Sequence, residues 1–294
     1  MKGSTAVGQN GIVIIAVLWI CALIMWFAIQ IGAETRLEGE EQALLVRKSQ
    51  ALHLAVGGCF EALARMGQPL PLRTSDAGED NWQPDGKPHL VNYGTGQALV
   101  IVEREDLKVN VNVAREAQIK AVLEKAGIEP DASDRLAGLV VDFIDKDDIP
   151  TLHGAEASFY RKLGLPYEPF NGPLTRIEQM LLIPGITRRL FFGEERPRQK
   201  LETEEALDIM GFSIPSKDSL FQMFTVYGRN TRLQDQEPEA ESRTAARVWA
   251  PGGLYRILSC GKAYSGFPAV TLCLVVQFTP DTETGYKILY RKVL

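Results

Sequence analysis

The chain has 294 residues, enough for one large or two modest domains, and its 45 % apolar and 8 % aromatic content excludes a disordered polymer. A formal net charge of −5 suits no polyanion unless a basic patch is set apart. The one local basic cluster, Arg188, Arg189, Arg196, Arg198 and Lys200, is broken by Glu194 and Glu195, and the three histidines and four cysteines show no zinc-site spacing.

Residues 1–11 are short and polar, with Lys2 as the only charged side chain. Residues 12–33, IVIIAVLWICALIMWFAIQIGA, contain no charge. As helix this run spans about 33 Å against a hydrocarbon core of about 30 Å. It is longer than the roughly 7–15-residue core of a cleaved signal peptide, and Ile31 stands where a small residue belongs before a cut after Ala33. The alternative is a plain signal anchor. Helical character continues through residues 34–66 without proline, with Leu37, Leu44, Leu52, Ala55, Val56, Cys59, Phe60 and Leu63 recurring near every 3.6 residues. Gly39 and the pair Gly57-Gly58 weaken or bend this helix.

Residues 68–92 are rich in Pro, Gly, Asp and Asn and read as a loop. The alternating segments 98–103 and 107–113 predict a hairpin. Helix patterns follow at 114–125, 131–144, 156–163, 175–182 and 202–209; strand patterns return at 219–227, 246–259, 270–279 and 286–293. Residues 230–242 read as a polar loop. The expectation is an α+β chain: a long N-terminal helix on a small antiparallel sheet, with a large inserted all-helical domain. Its expected divisions are 1–11, 12–66, 67–114, 115–215 and 216–294. Cys260 and Cys273 are close enough to bridge across a hairpin, or to stay as packed thiols.

A polar leader ending in glycine, followed by an apolar helix that runs into an amphipathic one, resembles the type IV pilins and pseudopilins. Within them, the K-type minor pseudopilins of type II secretion show a similar order of motifs. Here it reads Val109-Asn110-Val111-Asn112, Asp142-Phe143-Ile144-Asp145-Lys146-Asp147, Gly154-Ala155-Glu156, Phe159-Tyr160, Asn171, Pro173-Leu174, Glu178 and Gly185-Ile186, then Phe224-Thr225-Val226-Tyr227-Gly228. Phe143 replaces a tryptophan, and after Asn230-Thr231 the chain diverges from the family. The resemblance implies a pilin-like fold and cleavage after Gly11 by a prepilin peptidase. A methylated mature chain would start at Ile12, anchored in the inner membrane by a single pass with its C-terminal domain in the periplasm. Most pilins carry glutamate at the fifth mature position, where this chain has Ala16; the K-type members have an apolar residue there. The implied role is non-enzymatic: a subunit at the pseudopilus tip beside the I- and J-type sister pseudopilins, acting in protein export.

Asp142, Asp145, Asp147, Asp148 and Glu156 are dense hard ligands suited to Ca²⁺, which takes about 6–8 oxygens. Ile149 and Pro150 break an EF-hand count, and the family resemblance implies a structural calcium role. The competing reading is a solvated acidic loop. Residues 181–186, LLIPGI, resemble a helix-hairpin-helix turn, but Thr187 stands where a second glycine belongs, so the reading is a packing turn and no nucleic acid. No GxSxG, HExxH, P-loop or GxGxxG motif supports catalysis. Two other readings remain at this stage: a membrane-anchored periplasmic domain with a binding or enzymatic role, and a DNA-uptake minor pilin.

Overall fold

The computed structural model describes residues 9–67, 82–193, 214–232, 249–264, 269–279 and 285–294. The expected helix at 202–209 and most of the loop expected at 230–242 lie outside them. The chain forms two compact units, Met1–Gln50 and Ala51–Leu294.

Helix α1, Gln9–Gly67, is continuous through the glycines that were expected to weaken it. In the second unit it buries Ala51, Leu54, Ala55, Gly58, Cys59, Ala62, Leu63 and Met66, a stripe at i, i+3, i+4, i+7. Phe60, expected on that stripe, is instead 53 % exposed. The stripe is made largely of small residues because the helix lies close on the sheet. A Cβ added at Gly58 would overlap Ser259 Oγ and stand 2.7 Å from Val100 Cγ2. One at Gly261 would overlap the helix backbone at Ala51 and Ala55. Gly58→Leu therefore destabilises the protein by about 1–3 kcal/mol through overpacking, although leucine is the better helix former. An unchanged melting temperature would contradict the close approach.

The sheet has five antiparallel strands in the order β1-β2-β5-β6-β7. They are β1 (Asp85–Tyr93), β2 (Gly96–Arg104), β5 (Leu254–Ala263), β6 (Val270–Phe278) and β7 (Tyr286–Val293). Two short strands, β3 (Val109–Asn110) and β4 (Phe224–Thr225), pair in parallel. The expected hairpin between 98–103 and 107–113 does not form. β2 pairs with β1, inside the segment read as loop, and with β5. The break at residues 105–107 is a 3₁₀ turn, not a hairpin turn, because Glu105 is held in a buried ion cluster.

The central strands are covered on both faces. Ala98, Val100, Val102, Tyr255, Ile257, Leu272, Leu274, Val276 and Phe278 share a core with α1. Ile101, Leu258 and Cys273 share another with the helices that lie between β3 and β4 in the chain. Those are α2 (Glu116–Lys125), α3 (Pro130–Ile144), α4 (Ala157–Lys162), a 3₁₀ helix (Ile177–Leu182) and α5 (Arg188–Phe192), with α6 (Leu220–Met223) leading into β4. Residues 219–227, expected as strand, are thus a helical turn capped by Ser219 and only two residues of strand. At 181–186, Ile183 and Ile186 are buried and Gly185 has φ +94, so the segment packs as a turn against Leu136. Cys260 and Cys273 are not joined in a disulfide; Leu258 faces Cys273 and Thr271 faces Cys260. That diagonal offset exceeds the Cα separation a disulfide spans.

Candidate functional site

The acidic segment links α3 to α4. Apolar Leu136, Ala137, Val140 and Phe143 bury one side of α3, which brings its C-terminal turn and Asp145 to the loop that follows. Asp145, Asp147 and Glu156 come together: one oxygen of each lies within 4.8 Å of the others. Glu156 is 7 % exposed, and neither of its carboxylate oxygens has a hydrogen-bond partner; Asp145 Oδ1 is likewise buried without one. Burial, then Asp142, Asp145, Asp148 and Asp147, push the Glu156 carboxyl up to about 7. Asp145 is raised in the same direction, by burial and then by Asp147 and Asp142.

The other two predicted ligands have different partners. Asp142 is completely buried, and both its oxygens accept the Thr151 N–H at 3.1 Å. A Cβ at Gly154 would overlap the Asp142 carboxylate, so glycine lets the loop fold back over α3. Asp148 Oδ1 accepts from Asn171 Nδ2 at 3.0 Å, and Asp147 Oδ1 accepts the Ile149 N–H at 2.9 Å.

Asn171 was not singled out as a site residue from the sequence. It is the only described non-glycine residue with positive φ, +46, and its Oδ1 is buried without a partner. Its position is set from both sides. The Phe170 N–H donates to the Phe143 carbonyl at 3.1 Å. Asn112 exchanges two hydrogen bonds with the Leu174 backbone, at 2.9 and 2.8 Å. Asn112 N–H in turn donates to Asn110 Oδ1 at 2.9 Å, and Asn110 Nδ2 to the Gly228 carbonyl at 2.7 Å. Asn230 Nδ2 reaches the Leu107 carbonyl at 2.7 Å. The asparagines of the recognised motif are thus backbone clamps that join β3, β4 and the 170–174 segment.

The three carboxylates, with three buried oxygens that lack a partner among them, form a donor set of hard oxygens that fits calcium. It does not fit zinc, which favours nitrogen and sulfur.

A separate buried ion cluster involves Glu103, Glu105, Lys108 and Arg256. Arg256 Nη2 donates to Glu105 Oε1 at 2.6 Å, and its guanidinium also donates to the Phe221 carbonyl. Lys108 Nζ donates to Glu103 Oε2 at 2.6 Å and Gln222 Oε1 at 2.9 Å, and Thr225 Oγ1 donates to Glu105 Oε1 at 2.6 Å. The cluster ties β2 and β5 to α6 and β4.

In the first unit, Val13–Gly32 is long and apolar enough to cross a membrane, with mean hydropathy 2.6 and no burial. Gly11 and Ile12 lie within the helical backbone of α1, and Ala16 is exposed on it.

Residues 97–192 match the model of the family described as "Type II secretion system (T2SS), protein K". The chain is 27 % identical over 199 residues to type II secretion system protein K of Pectobacterium carotovorum subsp. carotovorum, across 62 % of this chain and 60 % of that protein. It is 27 % identical over 197 residues to the protein of that name in Klebsiella pneumoniae, across 62 % and 60 %. The match therefore spans less than two thirds of these relatives' length. Among solved structures, a chain of the GspK-GspI-GspJ complex from the enterotoxigenic Escherichia coli Type 2 Secretion System aligns over 89 % of this chain and 99 % of that one. The TM-score is 0.43 and the identity 15 %.

Proposed function

We propose that this chain, a member of the type II secretion system protein K family by its residues 97–192, is a non-enzymatic minor pseudopilin that acts in protein export across the outer membrane. The observation that carries the reading is the pairing of that family match with the uncharged helical span Val13–Gly32 ahead of it. The span anchors the chain once in the inner membrane, with the Ala51–Leu294 unit in the periplasm. Prepilin peptidase cuts after Gly11 and the amine of Ile12 is methylated. The same apolar helix then packs against those of the I- and J-type sister subunits. In repeating pilin subunits a buried glutamate pairs with the neighbouring N-terminal amine. Ala16 stands at that place here, and a tip subunit with none above it would hold a lipid-buried carboxylate at a cost without a partner.

A bulky replacement at Gly11 tests the anchor reading. Gly11→Trp blocks leader removal, so the protein keeps Met1 by N-terminal sequencing and does not enter the pseudopilus. Normal processing of that variant, or a native cut after Ala33, overturns the reading.

The acidic loop adds a structural calcium ion, held by Asp145, Asp147 and Glu156, with Asn171 facing the same loop and Asp142 and Asp148 bracing its backbone. When bound, the ion supplies counter-charge that fixes the crossing from α3 to α4. It takes no part in a reaction.

A further inference from the structure

We propose that the outer edge of β7 is a strand-addition site for an extended acidic segment of another polypeptide. Among the described residues, β7 and β1 are the two edges of the sheet. β1 is blunted, because Pro88 has no N–H to offer and the register shifts between Asp85 and Pro88. β7 has no proline.

The direction of its backbone groups follows from two hydrogen bonds. Leu294 N–H donates to the Thr271 carbonyl, and Thr279 N–H to the Gly285 carbonyl. Opposed residues in an antiparallel pair alternate between exchanging both bonds and none. The register from Leu272↔Val293 to Phe278↔Tyr286, with its shift between Val275 and Val276, then turns the backbone groups of Tyr286, Ile288, Arg291 and Val293 outward. Side chains of these residues share the α1-side face, on which Ile288 is 43 % and Val293 47 % exposed.

Charge selects the occupant. β7 carries Lys287, Arg291 and Lys292, all exposed, and no acidic residue, in a chain of net charge −5; Lys292 Nζ lies 3.3 Å from Glu178 Oε1 of the 3₁₀ helix. A second copy pairing here would set these cations against their own kind. A strand that alternates apolar and acidic residues meets exposed Ile288 and Val293 with the first, on the α1-side face, and Lys287 and Lys292, on the opposite face, with the second. Main-chain bonds then give affinity and alternate side chains give specificity. The inference rests on the edge geometry and the charge of β7 and stands apart from the role proposed above.

The test uses the full-length protein in detergent micelles and three fluorescent synthetic peptides: alternating valine and glutamate, alternating valine and lysine, and the acidic peptide with prolines in place of its valines. Anisotropy shows binding of the first only. Arg291→Pro, which removes one outward N–H, weakens it about tenfold, as loss of a backbone bond within the added strand requires. No binding of the acidic alternating peptide, equal binding of the proline peptide, or an indifferent Arg291→Pro variant overturns the proposal. Should that variant not fold, Lys287→Glu decides. A shift of preference toward the lysine peptide supports strand addition, and an unchanged preference overturns it.

Discussion

Glu105→Ala lowers the unfolding free energy of the Ala51–Leu294 unit by about 3–5 kcal/mol, the cost of leaving a buried charge without its partner. At roughly 2–4 °C per kcal/mol for a unit of this size, the melting temperature falls by roughly 6–20 °C. Arg256 is 2 % exposed and Glu105 not at all, so water does not replace the lost contact. Lys108, 1 % exposed, loses a second carboxylate 3.8 Å away. Replacing Glu105 by leucine together with Arg256 by methionine recovers much of the loss, because removing both charges also removes their desolvation cost. The pH dependence has a definite sign. Burial alone raises the Glu105 carboxyl, but Arg256 and Lys108 beside it bring it below its ordinary value of 4.5. Its stabilisation is therefore complete above that pH and disappears as pH falls through the lower folded value. Thermal melts between neutral pH and pH 3 check both points. Equal melting temperatures for wild type and Glu105→Ala would show that the cluster contributes nothing.

What the sequence carried, and what it concealed, follows from the physics of each segment. The uncharged run and the helix behind it are legible because membrane span and helical period are local properties. β5, β6 and β7 are legible as β-rich runs for the same reason. β1 was hidden in a segment full of turn formers, and 107–113 alternates like a strand although only Val109 and Asn110 pair. Both outcomes depend on long-range partners: β1 exists because β2 offers it an edge, and the chain turns at Glu105 because Arg256 lies 151 residues away. The α1 stripe was misread at Phe60 because apolar size was scored where smallness mattered, at Ala51, Gly58 and Ala62. In the acidic loop, composition singled out five carboxylates, yet it could not separate Asp145, Asp147 and Glu156 from Asp142, which is occupied by Thr151. Asn171 carried a signal only through its place in the family's motif order.

Calcium added to chelator-treated full-length protein raises its melting temperature, and Glu156→Gln abolishes most of that rise. At a calcium concentration a hundred times the dissociation constant the stabilisation is about 2.7 kcal/mol, roughly 5–11 °C for a unit of this size. Asp148→Asn keeps most of the rise, because Asp148 is engaged by Asn171 and lies outside the close trio. The pH dependence changes sign with the metal. Without calcium, Glu156 has its carboxyl pushed up to about 7 from 4.5, first by burial and then by the neighbouring aspartates. A carboxyl raised in the folded state costs stability as it ionises, so the calcium-free protein weakens as pH rises from 4.5 through 7. Glu156→Gln removes that cost and is the more stable protein at pH 8 in chelator. With calcium present the proton is displaced by the ion, so affinity climbs over the same interval and the order of the two proteins inverts. Titration calorimetry at pH 5.5 and pH 8 separates the cases. Equal affinity at both values, or an undiminished calcium response in Glu156→Gln, would leave a solvated acidic loop in place of a metal site.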